Sequence, residues 1–73
     1  MVFKYRRDYA RQIKINDIIK YSNDHYDVSL VEKTPDNKVR IRGISFFRNS
    51  ILDNNFDAKY EFDVLQINSK GVF

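Results

Sequence analysis

Lys38, Arg40 and Arg42 occupy every second position of the stretch Lys38-Val39-Arg40-Ile41-Arg42-Gly43. In an extended chain side chains alternate between faces, so these three cations share one face and Val39 and Ile41 the other. Their spacing along a strand is about 6.5 to 7 Å, close to the phosphate repeat of a single nucleic-acid strand. Arg48 extends the basic block, and Arg6, Arg7 and Arg11 supply a second one near the N-terminus. Aromatic side chains stack on bases while cations hold phosphates, and Tyr21, Tyr26 and Phe47 are the aromatics best placed to do so. Such contacts are weak and salt-dependent. A charged outer face also forms wherever an antiparallel sheet leaves one side in water.

Catalytic chemistry finds little material. His25 is the only histidine; Asp24 and Asp27 flank it, but no positioned nucleophile accompanies it. The serines have no nucleophile-elbow context. Asp53-Asn54-Asn55-Phe56-Asp57 matches the first half of a calcium loop. The position that needs glycine is Ala58, and the closing bidentate glutamate is replaced by Val64. The expectation is a non-enzyme without metal or cofactor.

The elements that carry these residues are short. The chain has 73 residues, six Phe and five Tyr but only two Gly and one Pro. That composition supports one small folded domain and argues against disorder. There is no cysteine, hence no disulfide framework. No stretch approaches the roughly eighteen apolar residues of a membrane span, and no apolar run follows the early positive charges. The expectation is a soluble, cytoplasmic protein, and the Lys, Asn, Ile, Tyr and Asp content suits a bacterial or phage source. Net charge is +3 and unevenly spread. Five basic residues face one acid in the first fourteen positions, while Asp53, Asp57, Glu61 and Asp63 form an acidic stretch.

Tyr26, Val28 and Leu30 alternate with Asp27 and Ser29, Thr34-Pro35-Asp36-Asn37 has turn chemistry, and residues 38–46 extend again. Residues 25–33 and 38–46 are therefore predicted to form an antiparallel hairpin. Asn16-Asp17 and Ser22-Asn23-Asp24 mark two further turns around Ile18-Ile19-Lys20-Tyr21. Val39 and Ile41 are odd-numbered whereas Ile44 and Phe46 are even, with Gly43 between them, which predicts a bulge or bend there. A similar slip separates Tyr60, Phe62 and Val64 from Leu65 and Ile67. Residues 47–58 fit neither period, and a short helical turn is expected near 49–55.

The expected fold is all-β, a small, five-stranded, strongly bent SH3-like barrel. Residues 1–12 are read as a basic aromatic extension, 13–68 as the barrel domain and 69–73 as a loose tail. Ile15-Asn16-Asp17-Ile18-Ile19-Lys20-Tyr21, then Tyr26-Asp27-Val28, then Val39-Arg40-Ile41-Arg42-Gly43 resembles the opening of the KOW-type N-terminal barrel of elongation factor P. The resemblance covers residues 13–45 and implies architecture alone. The functional expectation is a non-catalytic binding module, monomer or weak homodimer. Nucleic acid stands first as its partner, through strand 38–42 and the N-terminal segment. The alternative is a protein–protein interaction module serving as adaptor, inhibitor or assembly component, phage-encoded in one version of that reading.

Overall fold

The computed structural model describes residues 4–66 of the chain. Six strands, β1 (Lys4–Tyr9), β2 (Ile18–Tyr21), β3 (Asp24–Lys33), β4 (Lys38–Ser45), β5 (Ile51–Asp57) and β6 (Glu61–Gln66), form one antiparallel sheet of order β1-β6-β2-β3-β4-β5. A 3-10 turn, Ala10–Gln12, follows β1. The turns obey the local chemistry. Ser22 and Asn23 both have positive φ, the two-residue geometry that matches strand twist in a tight hairpin. Asn16, Asn37 and Asn49 also take the left-handed conformation that asparagine tolerates best among residues with a Cβ.

Three sequence expectations are corrected. The strands number six, because residues 4–9, assigned to an extension, pair along their whole length with β6, from Lys4 opposite Gln66 to Tyr9 opposite Glu61. Residues 51–57 form β5 and not a helical turn: Leu52 and Phe56 face inward, and the ladder to β4 imposes extension on a segment whose Asp-Asn-Asn centre has little strand preference. The parity of β4 does not change at Gly43. Val39, Ile41, Gly43 and Ser45 are all buried, and Ile44 continues the exposed face of Lys38 and Arg42. The irregularity lies on the partner strand, where Ser29 is an extra residue between Val28, opposite Gly43, and Leu30, opposite Arg42. Ser29 Oγ bonds the Arg42 carbonyl at 3.3 Å. Ile67 of the second parity slip and the tail 69–73 lie outside the described residues.

No ladder among the described residues joins β1 to β5, so the barrel expected from sequence is a curled sheet with two edges. Its curl is steep. Phe56 on β5 meets Phe62 on β6 edge-on, with ring centroids 4.9 Å apart, although three strands separate them in the sheet. Tyr21 and Tyr60 complete this aromatic group. Around it Ile19, Val28, Val39, Ile41 and Val64 form the core, with Ala10, Ile13 and Ala58 at one end. That end is stitched by backbone bonds from Ala10 to Tyr60 (2.7 Å), Arg11 to Ala58 (3.2 Å) and Ala58 to Asn37 (3.2 Å).

Candidate interaction surfaces

β4 turns Lys38, Arg40 and Arg42 outward, as its period of two requires. Arg40 is not available as a free charge. Its Nε and Nη2 donate to the two carboxylate oxygens of Asp53 at 2.9 and 2.8 Å, and Nη1 donates to Glu32 Oε1 at 3.2 Å. The bidentate bond to Asp53, ahead of Glu32, raises the Arg40 pKa and lowers that of Asp53. Arg42 lies opposite Asp53 in the ladder and makes no ion pair among the described residues. Lys38 stands opposite Asp57.

The other predicted cations divide in the same way. Arg6 pairs with Asp8 at 2.8 Å and Asp17 at 3.6 Å, and Arg7 with Asp63 at 3.1 Å and Glu61 at 3.5 Å. Arg48 Nε donates to Asp24 Oδ2 at 3.0 Å. Arg11 lies over the Tyr9 ring, 5.2 Å from its centroid. Lys38, Arg42 and Arg11 therefore lack a carboxylate partner among the described residues, and the backbone stitching brings Arg11 and Lys38 to the end of the sheet that also carries Lys33 and Lys59. Of the predicted stacking aromatics, Tyr26 is buried at 7 % exposure and Tyr21 sits half-buried in the aromatic group, which removes both from an open platform. Phe47 is 74 % exposed.

At the opposite end, where β4 passes to β5, the structure assembles an apolar surface from Ile44 and Phe46, which the parity reading grouped with the inward residues, together with Phe47 and Ile51. Ile44 (50 % exposed) and Ile51 (57 %) are direct cross-strand neighbours, and Phe46 (51 %) lies opposite His25 through a backbone bond of 3.0 Å. Phe47 packs edge-on against Phe46 and against His25. Continuing the even-numbered positions of β4 past Gly43 is the signal that finds Ile44 and Phe46.

A buried polar group fixes this display. Asp24, 1 % exposed, accepts from Ser45 Oγ at 2.6 Å, from its neighbour His25 N–H at 2.7 Å and from Arg48. Ser45 Oγ accepts in turn from the N–H groups of Phe47 and Arg48, at 3.1 and 3.0 Å. One hydroxyl thus uses its donor and both acceptor sites. The Ser45 hydrogen bond is the foremost cause that lowers the Asp24 pKa, against the opposing effect of burial. His25, the residue considered for acid–base work, shares a 2.7 Å hydrogen bond with Tyr5 Oη and stacks on that ring. The calcium-like stretch 53–57 is strand β5, with Asp53 committed to Arg40. An open polar groove of about 520 Å³ lies between Lys20, Tyr21 and Tyr60, and Arg7, Glu61 and Asp63 balance charge along it.

No protein-family profile and no curated protein matches the chain. Among solved structures it resembles a translation initiation factor eIF-5A family protein from Naegleria fowleri, with a TM-score of 0.74 at 13 % identity. The chain shares the fold of that region. The match covers 85 % of this chain and 47 % of that protein, so the chain corresponds to about half of its length. At this identity the likeness concerns fold, in agreement with the elongation-factor-type barrel read from residues 13–45.

Proposed function

We propose that the chain is a non-catalytic protein-interaction module that docks its partner through Ile44, Phe46, Phe47 and Ile51. The observation that carries this reading is the exposure of four large apolar side chains, each at least half accessible, as neighbours at one end of a sheet. Contiguous apolar surface of this kind on a small soluble domain marks an interaction site. Two adjoining phenylalanines are the sort of anchors that dominate interface energetics. The Asp24–Ser45–Arg48 group holds the loop that displays them, which lowers the ordering cost of binding.

A native-extract pull-down with nuclease tests the reading when run beside the double variant Phe46→Ser, Phe47→Asp. Nuclease-resistant capture that the variant abolishes supports it. Equal capture by both proteins refutes it.

A second reading keeps nucleic acid as the ligand, at the other end of the sheet. It is favoured by Arg11, Lys33, Lys38 and Lys59 at that end and by Arg42 midway along β4, none of which has a carboxylate partner within salt-bridge distance among the described residues. The likeness to a translation-factor barrel is compatible with it. Capture that disappears with nuclease, together with salt-sensitive binding of a fluorescent single-stranded oligonucleotide that Lys38→Glu with Arg42→Glu abolishes, would favour this reading instead.

A further inference from the structure

We propose that β5 is an acceptor edge, on which an extended segment of a partner protein adds as a seventh strand, apolar where it passes Ile51 and basic where it passes Asp57. This rests on the protein-docking reading and names its mode. The ladder to β4 decides which backbone groups are free. Ser45 N–H bonds the Ser50 carbonyl and Ala58 N–H bonds the Asn37 carbonyl, in the same register as the intervening pairs. In an antiparallel ladder the bonded pairs alternate, so Leu52, Asn54 and Phe56 bond β4, while the N–H and C=O groups of Ile51, Asp53 and Asn55 point away from it. No other backbone or side-chain bond reaches those groups among the described residues.

Edges are usually blunted by lysine, proline or a bulge. β1, the other edge, carries Lys4, Arg6 and Arg7. β5 has no lysine, arginine or proline and keeps an unbroken register with β4. Its outward side chains run Ile51, Asp53, Asn55, Asp57, from the apolar surface at one end to the Asp57 carboxylate at the other, which makes no salt bridge among the described residues although Lys38 stands opposite it. That polarity selects the occupant. Two copies of β5 paired antiparallel about Asp53 would set acid against acid, and paired about Asn54 they would set Ile51 against Asp57, so the edge is poorly matched to itself. An antiparallel segment with a basic residue first and an apolar residue last satisfies both ends, and its main chain takes up the free edge groups.

The probe is the peptide Lys-Val-Thr-Thr-Thr-Val-Ile, which places lysine opposite Asp57 and isoleucine opposite Ile51. Fluorescence anisotropy should show saturable binding. Methylation of the third and fifth peptide nitrogens, which face β5, should weaken it at least about tenfold, whereas methylation of the fourth should not. Exchange of the Ile51, Asp53 and Asn55 amides should slow with peptide bound. Absence of binding, or indifference to which nitrogen is methylated, overturns the strand mode. A dimer in sedimentation whose Ile51, Asp53 and Asn55 amides are already protected assigns the edge to a second copy and overturns it too. If the peptide fails while nuclease-resistant capture still depends on Phe46 and Phe47, the docking reading stands without strand addition.

Discussion

Arg40 on β4 reaches diagonally to Asp53 on β5 with two parallel hydrogen bonds of 2.9 and 2.8 Å, and this pair decides how much of the basic stripe can meet a phosphate. A cation already matched to a carboxylate releases few counterions on binding nucleic acid. Asp53→Asn with Glu32→Gln, which removes both carboxylate partners of Arg40, should therefore increase affinity for a single-stranded oligonucleotide and steepen the slope of log K against log salt by about 0.7, the contribution of one freed phosphate contact. Titrations from low to moderate salt measure it. An unchanged slope would mean that Arg40 does not take part even when freed.

Acidification should unfold the protein through its paired aspartates. Asp24, Asp53 and Asp36 all have lowered pKa values, by bonds from Ser45, Arg40 and Thr34 respectively. A lowered folded-state pKa contributes stability that is fully present above the ordinary aspartate value near 3.8 and is lost as pH falls through the folded value. Melting temperature should hold steady at neutral pH and fall progressively from about pH 4.5 downward. Ser45→Ala, which removes the foremost cause at Asp24, should lower the melting temperature at pH 7 and shrink the difference from wild type by pH 2. A constant difference across that range would show that Asp24 does not mediate the effect.

The hairpin of β3 and β4 was legible because β-branched alternation and the Thr34-Pro35-Asp36-Asn37 turn agree at adjacent positions. β5 was not, since Asp53, Asn54 and Asn55 have poor strand preference and are held extended by β4. That misreading hid the Arg40–Asp53 pair as well, because its acid lay in a segment read as loop and turn. β1 was obscured by its charges: Arg6 and Arg7 look like a free tail until Asp17, from the connection before β2, and Glu61 and Asp63, from β6, arrive beside them. Ile44 and Phe46 were assigned inward because apolar residues usually are, although their positions in β4 matched those of Lys38, Arg40 and Arg42. Here local period was the better guide than hydrophobicity.

Gly43 is retained for close approach. A Cβ built there would lie 3.1 Å from both the Asp27 carbonyl oxygen and Tyr26 Cβ, at the site where Ser29 bulges from β3. Neither neighbour is the free end of a flexible chain, so Gly43→Ala should destabilise by about 1 to 3 kcal/mol. A shift in urea midpoint at constant m-value is the expected form of the result. Gly43→Val should cost more, through the same two contacts. A neutral alanine would imply that β3 and β4 can separate there without loss.

Ile41 and Ile44 test the parity of β4 directly. Ile41 is fully buried against the core, and Ile44 is half exposed beside Ile51. Ile41→Ala should cost about 2 to 5 kcal/mol through lost burial and the cavity left behind. Ile44→Ala should fall within about 0.5 kcal/mol of wild type, as surface changes do. Urea denaturation of the two variants separates the alternatives. If the strand changed face at Gly43, Ile44→Ala would be as costly as Ile41→Ala, and the apolar surface formed by Ile44, Phe46, Phe47 and Ile51 would not exist. If the order is as expected, the same Ile44→Ala protein becomes a reagent for docking, because it removes a surface contact from a fold that remains intact.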